Sequence, residues 1–107
     1  MLILQLRNDP GLGHCNRMIR FQKFKLSQNR SSIILVPDLK EMILYLRNNN
    51  IHSILKYDIS LSPDELILLV DKFVGLKQIK EWIIDTKFDC FEILMILREK
   101  KITSTLV

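Results

Sequence analysis

The chain is 107 residues long, carries a net charge of +4, and is 48% apolar and 26% charged, which suits one globular domain with a core of its own. No apolar run exceeds five residues (Leu66–Val70), far short of the ~20 needed to cross a bilayer. The opening Met1-Leu2-Ile3-Leu4 soon meets Gln5 and Arg7, against a signal peptide, and two distant cysteines, Cys15 and Cys90, exclude a cysteine-rich zinc site or a disulfide scaffold and suit a reducing cytoplasm.

Taken in chain order, Leu2–Leu6 reads as a first strand. Residues 14–28 follow as a helix, with Met18, Phe21 and Phe24 spaced by three and Ile19 widening the stripe. Ile33–Val36 is a short apolar strand. Asp38 and Glu41 form an expected capping pair ahead of Leu39, Met42, Ile43 and Leu46, and Asn48-Asn49-Asn50 supplies the helix exit. Ile51–Leu55 reads as a third strand, flanked by His52 and Lys56. Ser62-Pro63-Asp64-Glu65 combines a capping serine, proline at the first helical position and glutamate at the third. That helix is expected to bury Leu66, Leu69, Val70 and Phe73 and to end at Gly75. Trp82–Asp85 is a fourth strand; Asp89 and Glu92 open a helix carrying Phe91, Leu94, Met95 and Leu97; Ile102–Val107 is a fifth strand.

Five short strands alternating with four helices predict an α/β fold: a Rossmann-like, three-layer domain over residues 1–107 with a five-stranded parallel sheet. Such sheets bind ligands beyond the carboxyl ends of their strands, near the switch point beside the first one. Gly11-Leu12-Gly13-His14-Cys15-Asn16-Arg17 falls there, where a strand turns into a helix. Backbone N–H groups and the helix dipole favour an anion at such a corner, and a histidine there can move protons near neutral pH. Arg17 lies one turn further on the same side. Asp9 and Asp85, at two strand ends, are carboxylates able to orient His14 or a water, or to serve as turn and cap residues. His52 reads as structural or superficial, and no third ligand at metal-binding spacing joins the two histidines.

The charge is unevenly spread. Residues 1–53 hold eight Lys/Arg against three Asp/Glu, residues 54–107 eight against nine, and Arg17, Arg20, Lys23, Lys25 and Arg30 have no acid between them. That stretch reads as a solvated helix face or as an attractor for a phosphorylated small molecule. With no basic–aromatic recognition motif and no Cys/His finger, nucleic acid is not an expected partner. A Walker loop is excluded by the missing Gly-Lys-Ser/Thr, and Asn16 takes the place of the third glycine of GxGxxG. A phospho-receiver domain would want an acidic pair after the first strand, where Leu6-Arg7 stands.

Arg7-x-Asp9 followed by Gly11-x-Gly13-His14-x-x-Arg17 resembles the amino-terminal signature of the UDP-sugar hydrolases of pseudaminic acid biosynthesis and the related spore-coat polysaccharide proteins. Trp82-Ile83-Ile84-Asp85 with Asp89 and Glu92 looks like that family's fourth strand and next helix, although Lys87-Phe88 stands where the family tends to have tyrosine. The resemblance implies the amino-terminal half of a GT-B architecture, and an enzyme that removes UDP from a diacetamido-trideoxyhexose by water attack at the anomeric carbon. It makes His14 the catalytic residue and places Gly11, Gly13, Arg17, Asp9 and Asp85 around the substrate, with no metal or cofactor.

The family's second domain, which grips most of the nucleotide, lies outside these 107 residues. The expected partners are therefore a UDP-sugar and a separate carboxyl-terminal half, in the cytoplasm, and the isolated chain is expected to be inactive. Two other readings stay open: the acceptor-side half of a GT-B glycosyltransferase, and a non-catalytic binding or assembly module.

Overall fold

A computed structural model describes residues 1–7, 12–85 and 90–107, with the side chain of Asp85 also outside the description. Five strands, β1 (Leu2–Leu6), β2 (Ser32–Pro37), β3 (Ile54–Tyr57), β4 (Glu81–Asp85) and β5 (Thr103–Leu106), form one parallel sheet in the order β3-β2-β1-β4-β5. The connections contain α1 (Gly13–Ser27), α2 (Lys40–Asn48), α3 (Pro63–Phe73) and α4 (Phe91–Glu99). The predicted α/β fold with a five-stranded parallel sheet is thus observed, in a generic Rossmann-like arrangement.

Strand β1 is central and buried along its whole length. Its pleat divides the core. Leu2, Leu4 and Leu6 pack with Cys15, Met18, Ile34, Met42 and Leu46 under α1 and α2. Ile3 points the other way, to Leu35, Trp82, Leu66, Val70, Ile93 and Leu97 under α3 and α4. Both faces are covered, which a parallel sheet requires, and both cysteines are buried, one in each layer.

The helix faces differ from those predicted. In α1 the buried residues are Cys15, Met18, Ile19 and Gln22, while Phe24 is 57% exposed and Phe21 only partly buried. A strict spacing of three drifts about 60° around the helix at each step, so Met18, Phe21 and Phe24 cannot share one face. In α3 Phe73 is the last residue of the helix and is exposed, and Ile67 is buried instead. In α4, Ile93 and Leu97 are the buried residues, one turn apart, and Phe91 and Met95 face outward.

Helix ends follow local chemistry closely. Ser62 Oγ accepts from the Glu65 N–H and the Glu65 carboxylate accepts from the Ser62 N–H, a complete capping box with Pro63 behind it. The capping pair expected at Asp38 and Glu41 does not form. Helix α2 starts one residue later, with Leu39 at its N-cap and no side-chain cap, and the Asp38 N–H, the group the Glu41 carboxylate would accept from in a capping box, donates instead to the Tyr57 carbonyl of β3.

Three helices exit through a left-handed residue that is not glycine: Asn29, Asn50 and Lys101. Each has the paired Schellman bonds, such as Ile51 N–H to Leu46 O and Asn50 N–H to Arg47 O after α2. Ile51 consequently belongs to the exit of α2, and β3 begins at Ile54 rather than at residue 51. His52 stands exposed in the connection, outside any strand.

Candidate functional site

The turn from β1 into α1 sits at the carboxyl edge of the sheet, with α1 laid against the Leu2-Leu4-Leu6 face. His14 is the second residue of that helix and is half-buried. At the corner Leu12 is left-handed (φ 57°) and serves as N-cap without a side-chain cap bond. Leu12 also packs against the α1–α2 layer of the core, which holds it in a conformation costing a branched residue roughly 1 kcal/mol or more. Gly13 is not required for conformation, and a Cβ there would meet no atom within 4 Å.

Arg17 is exposed one turn along, beside Asn16, Arg20 and the partly exposed ring of Phe21 in a shallow depression on the outer side of α1. Asn16 accepts a hydrogen bond from the Tyr45 hydroxyl, tying the start of α1 to α2. The basic stretch is less uniform than its sequence suggests. Arg30 reaches Glu81 on β4 at 3.6 Å, and Lys25 stands 5.3 Å over the Phe21 ring. Arg17, Arg20 and Lys23 remain on the solvent side of the helix.

Of the other expected site residues, Asp9 and Gly11 lie outside the described residues, as do Lys87, Phe88 and the helix-opening Asp89. Asp85 ends β4 in register with Leu6, so the backbones of the first and fourth strands finish level and side by side. Its side chain lies outside the description. His14, Gly13, Arg17 and the backbone of Asp85 therefore share the carboxyl edge of the sheet, as the predicted topology requires.

A more enclosed space opens on the other face of the sheet. It is a cavity of about 440 Å³ between the beginnings of α3 and α4, with Gln5, Arg7, Tyr57 and Cys90 among its walls. Its floor is a hydrogen-bonded chain. Trp82 Nε1–H donates to Gln5 Oε1 at 2.9 Å, the Gln5 side chain also bonds to Tyr57, and the Tyr57 hydroxyl donates to the Leu6 carbonyl at 2.5 Å. Burial pushes the Tyr57 hydroxyl pKa above its ordinary value, against smaller downward pulls from Arg7 and Gln5.

Sequence reasoning missed this group. The available signal was Gln5, a lone polar residue inside the apolar run Leu2–Leu6. A glutamine 4% exposed in a central strand must find partners there.

No protein-family model, no curated protein and no solved structure matches this chain. Among the described residues no helix is long and apolar enough to cross a membrane. Fold and site geometry, together with the sequence resemblance, are the grounds for assigning a function.

Proposed function

We propose that this chain forms the sugar-side wall of a nucleotide-sugar hydrolase that releases UDP from a diacetamido-trideoxyhexose in surface-polysaccharide or nonulosonic acid synthesis, with a cytoplasmic site of action. The observation that carries the reading is the position of His14. It sits in the first turn of the first helix, just beyond the central strand of a parallel sheet, within the motif Gly11-x-Gly13-His14-x-x-Arg17. That is where an open α/β sheet binds its ligand.

In this reading His14 takes a proton from the water that attacks the anomeric carbon. Gly13, with no side chain between the backbone and the cleft, admits the sugar–phosphate linkage. Arg17 contributes positive charge on the leaving-group side. An inverting displacement leaves roughly 6.5–9.5 Å between its two catalytic groups to admit the water, so the second group belongs across a cleft from His14. A second, nucleotide-gripping domain of the GT-B kind would provide that wall, whether from the same polypeptide or from another. One wall alone forgoes most of the positioning and charge stabilisation that a closed cleft supplies.

Two measurements test the proposal. Titration of the isotope-labelled chain with the UDP-sugar, followed by amide NMR, is expected to move residues 12–17, while UDP alone moves them less and leaves His14 in place. Equal responses to both ligands, or none at these amides, would overturn the assignment. Purified chain by itself is expected to release no UDP; steady release that disappears in His14→Ala would refute the need for a second wall. Turnover that depends on an acceptor sugar would favour the glycosyltransferase reading.

A further inference from the structure

We infer that the cavity between α3 and α4 is a second binding site, for a small molecule with an apolar body and a single anionic group of the carboxylate class. The argument starts from the composition of its walls. Ile59, Leu61, Leu66 and Ile93 supply an apolar side. Arg7 is the one cationic side chain among the described residues lining it. It is only partly exposed, and among the described residues no carboxylate is within ion-pairing distance of it. Glu92, the acid among the described residues of the cavity, is exposed in the first turn of α4, where the helix dipole already favours it.

A half-buried guanidinium beside an apolar wall is matched by a carboxylate on a hydrocarbon body. The carboxylate takes paired N–H donors from Arg7, and the body covers the aliphatic side chains. A diphosphate is a poor match, because among the described residues one Arg beside Glu92 does not balance its charge. The volume, about 440 Å³, is within the range of small-molecule pockets.

The floor of the cavity is stiff rather than adaptable. Gln5 is fixed by Trp82 on one side and by Tyr57 on the other, and Tyr57 is tied to the β1 backbone. The site is thereby pre-organised, which lowers the cost of binding. It does not depend on the reading given to His14, since the sheet separates this cavity from α1 and its layer.

The chain's one tryptophan reports on the site directly, because Trp82 donates to the glutamine on the cavity floor. Hexanoate, hexanol and hexylammonium chloride are titrated against Trp82 fluorescence in the full chain. Hexanoate is expected to give a saturable change with a dissociation constant on the order of millimolar, as its few heavy atoms allow, and to bind about tenfold or more tightly than either analogue.

Arg7→Gln is expected to abolish that preference while retaining the far-ultraviolet dichroism of the parent. Ile59→Glu changes an exposed wall residue and serves as a second variant, expected to weaken hexanoate and favour hexylammonium. A response that never saturates, equal affinity for the three probes, or hexanoate binding indifferent to both substitutions would overturn the proposal.

Discussion

Lys101 holds a left-handed conformation at φ 59°, a position where the exit motif of a helix prefers glycine. Its Cβ crowds its own backbone there. Lys101→Gly relieves that strain at some cost in unfolded-chain entropy, for a net gain of about 0.5–1 kcal/mol, read as a higher urea midpoint at unchanged slope. Gly13 is the reverse case. It lies in the first turn of α1 with open space around its Cβ position, so Gly13→Ala is expected to leave stability unchanged or raise it by roughly 0.5 kcal/mol. If the corner admits a sugar–phosphate linkage, the same substitution weakens UDP-sugar binding. Stability and binding then move in opposite directions, and a purely structural glycine would not separate them.

Tyr57 sets a pH dependence at the same scale. Its folded pKa is raised above the ordinary 10.0 by burial, so with rising pH the unfolded chain loses this proton before the folded one does. The stability it contributes is present in full below pH 10 and is lost as pH climbs through the folded value. Tyr57→Phe should remove that alkaline slope in denaturation curves recorded from neutral pH upward. Near neutral pH the same variant is expected to cost about 1–2 kcal/mol, since the Leu6 carbonyl loses its donor and Gln5 a partner.

At the scale of elements, the chain states where helices begin and end more clearly than which side they bury. The Ser62–Glu65 box and the asparagine exit of α2 act within a few residues, and both form as their chemistry dictates. The buried stripes depend on how each helix is rotated against the sheet. In α1 that rotation selects Cys15, Met18, Ile19 and Gln22, spaced i, i+3, i+4 and i+7, over the more conspicuous phenylalanines. Met18→Ala is accordingly expected to cost about 2–4 kcal/mol and Phe24→Ala less than about 0.5 kcal/mol, measured by chemical denaturation. Comparable losses at the two positions would mean that α1 is rotated otherwise than described. Leu97 and Met95 form the same contrast in α4, with Leu97 buried and Met95 47% exposed.

Across the whole molecule, stability should be graded outward from β1. That strand is buried on both faces and paired on both edges, whereas β5 is an edge strand whose Thr103, Thr105 and Leu106 are exposed. Native-state hydrogen exchange is expected to protect the β1 and β4 amides most and those of β5 least. The same organisation gives the molecule two distinct regions at one end of its sheet. The α1 corner carries His14 and Arg17, and the cavity on the opposite side carries Arg7 above the Gln5–Tyr57–Trp82 chain.

The sequence by itself determined the alternation of strands and helices, the capping box at Ser62, the exit at Asn50 and the placing of His14 at a strand-to-helix turn. These are local matters, decided by period, by turn chemistry and by short connections between neighbouring elements. Only the tertiary structure decided that the Asp38 backbone N–H would bond to β3, that Arg30 would find Glu81, and that Gln5 would meet Trp82 and Tyr57. Each of those pairings joins residues distant in the chain through strand order and register. The cavity between α3 and α4 exists because the ends of β1 and β3 meet the starts of those two helices, and no window of consecutive residues contains it.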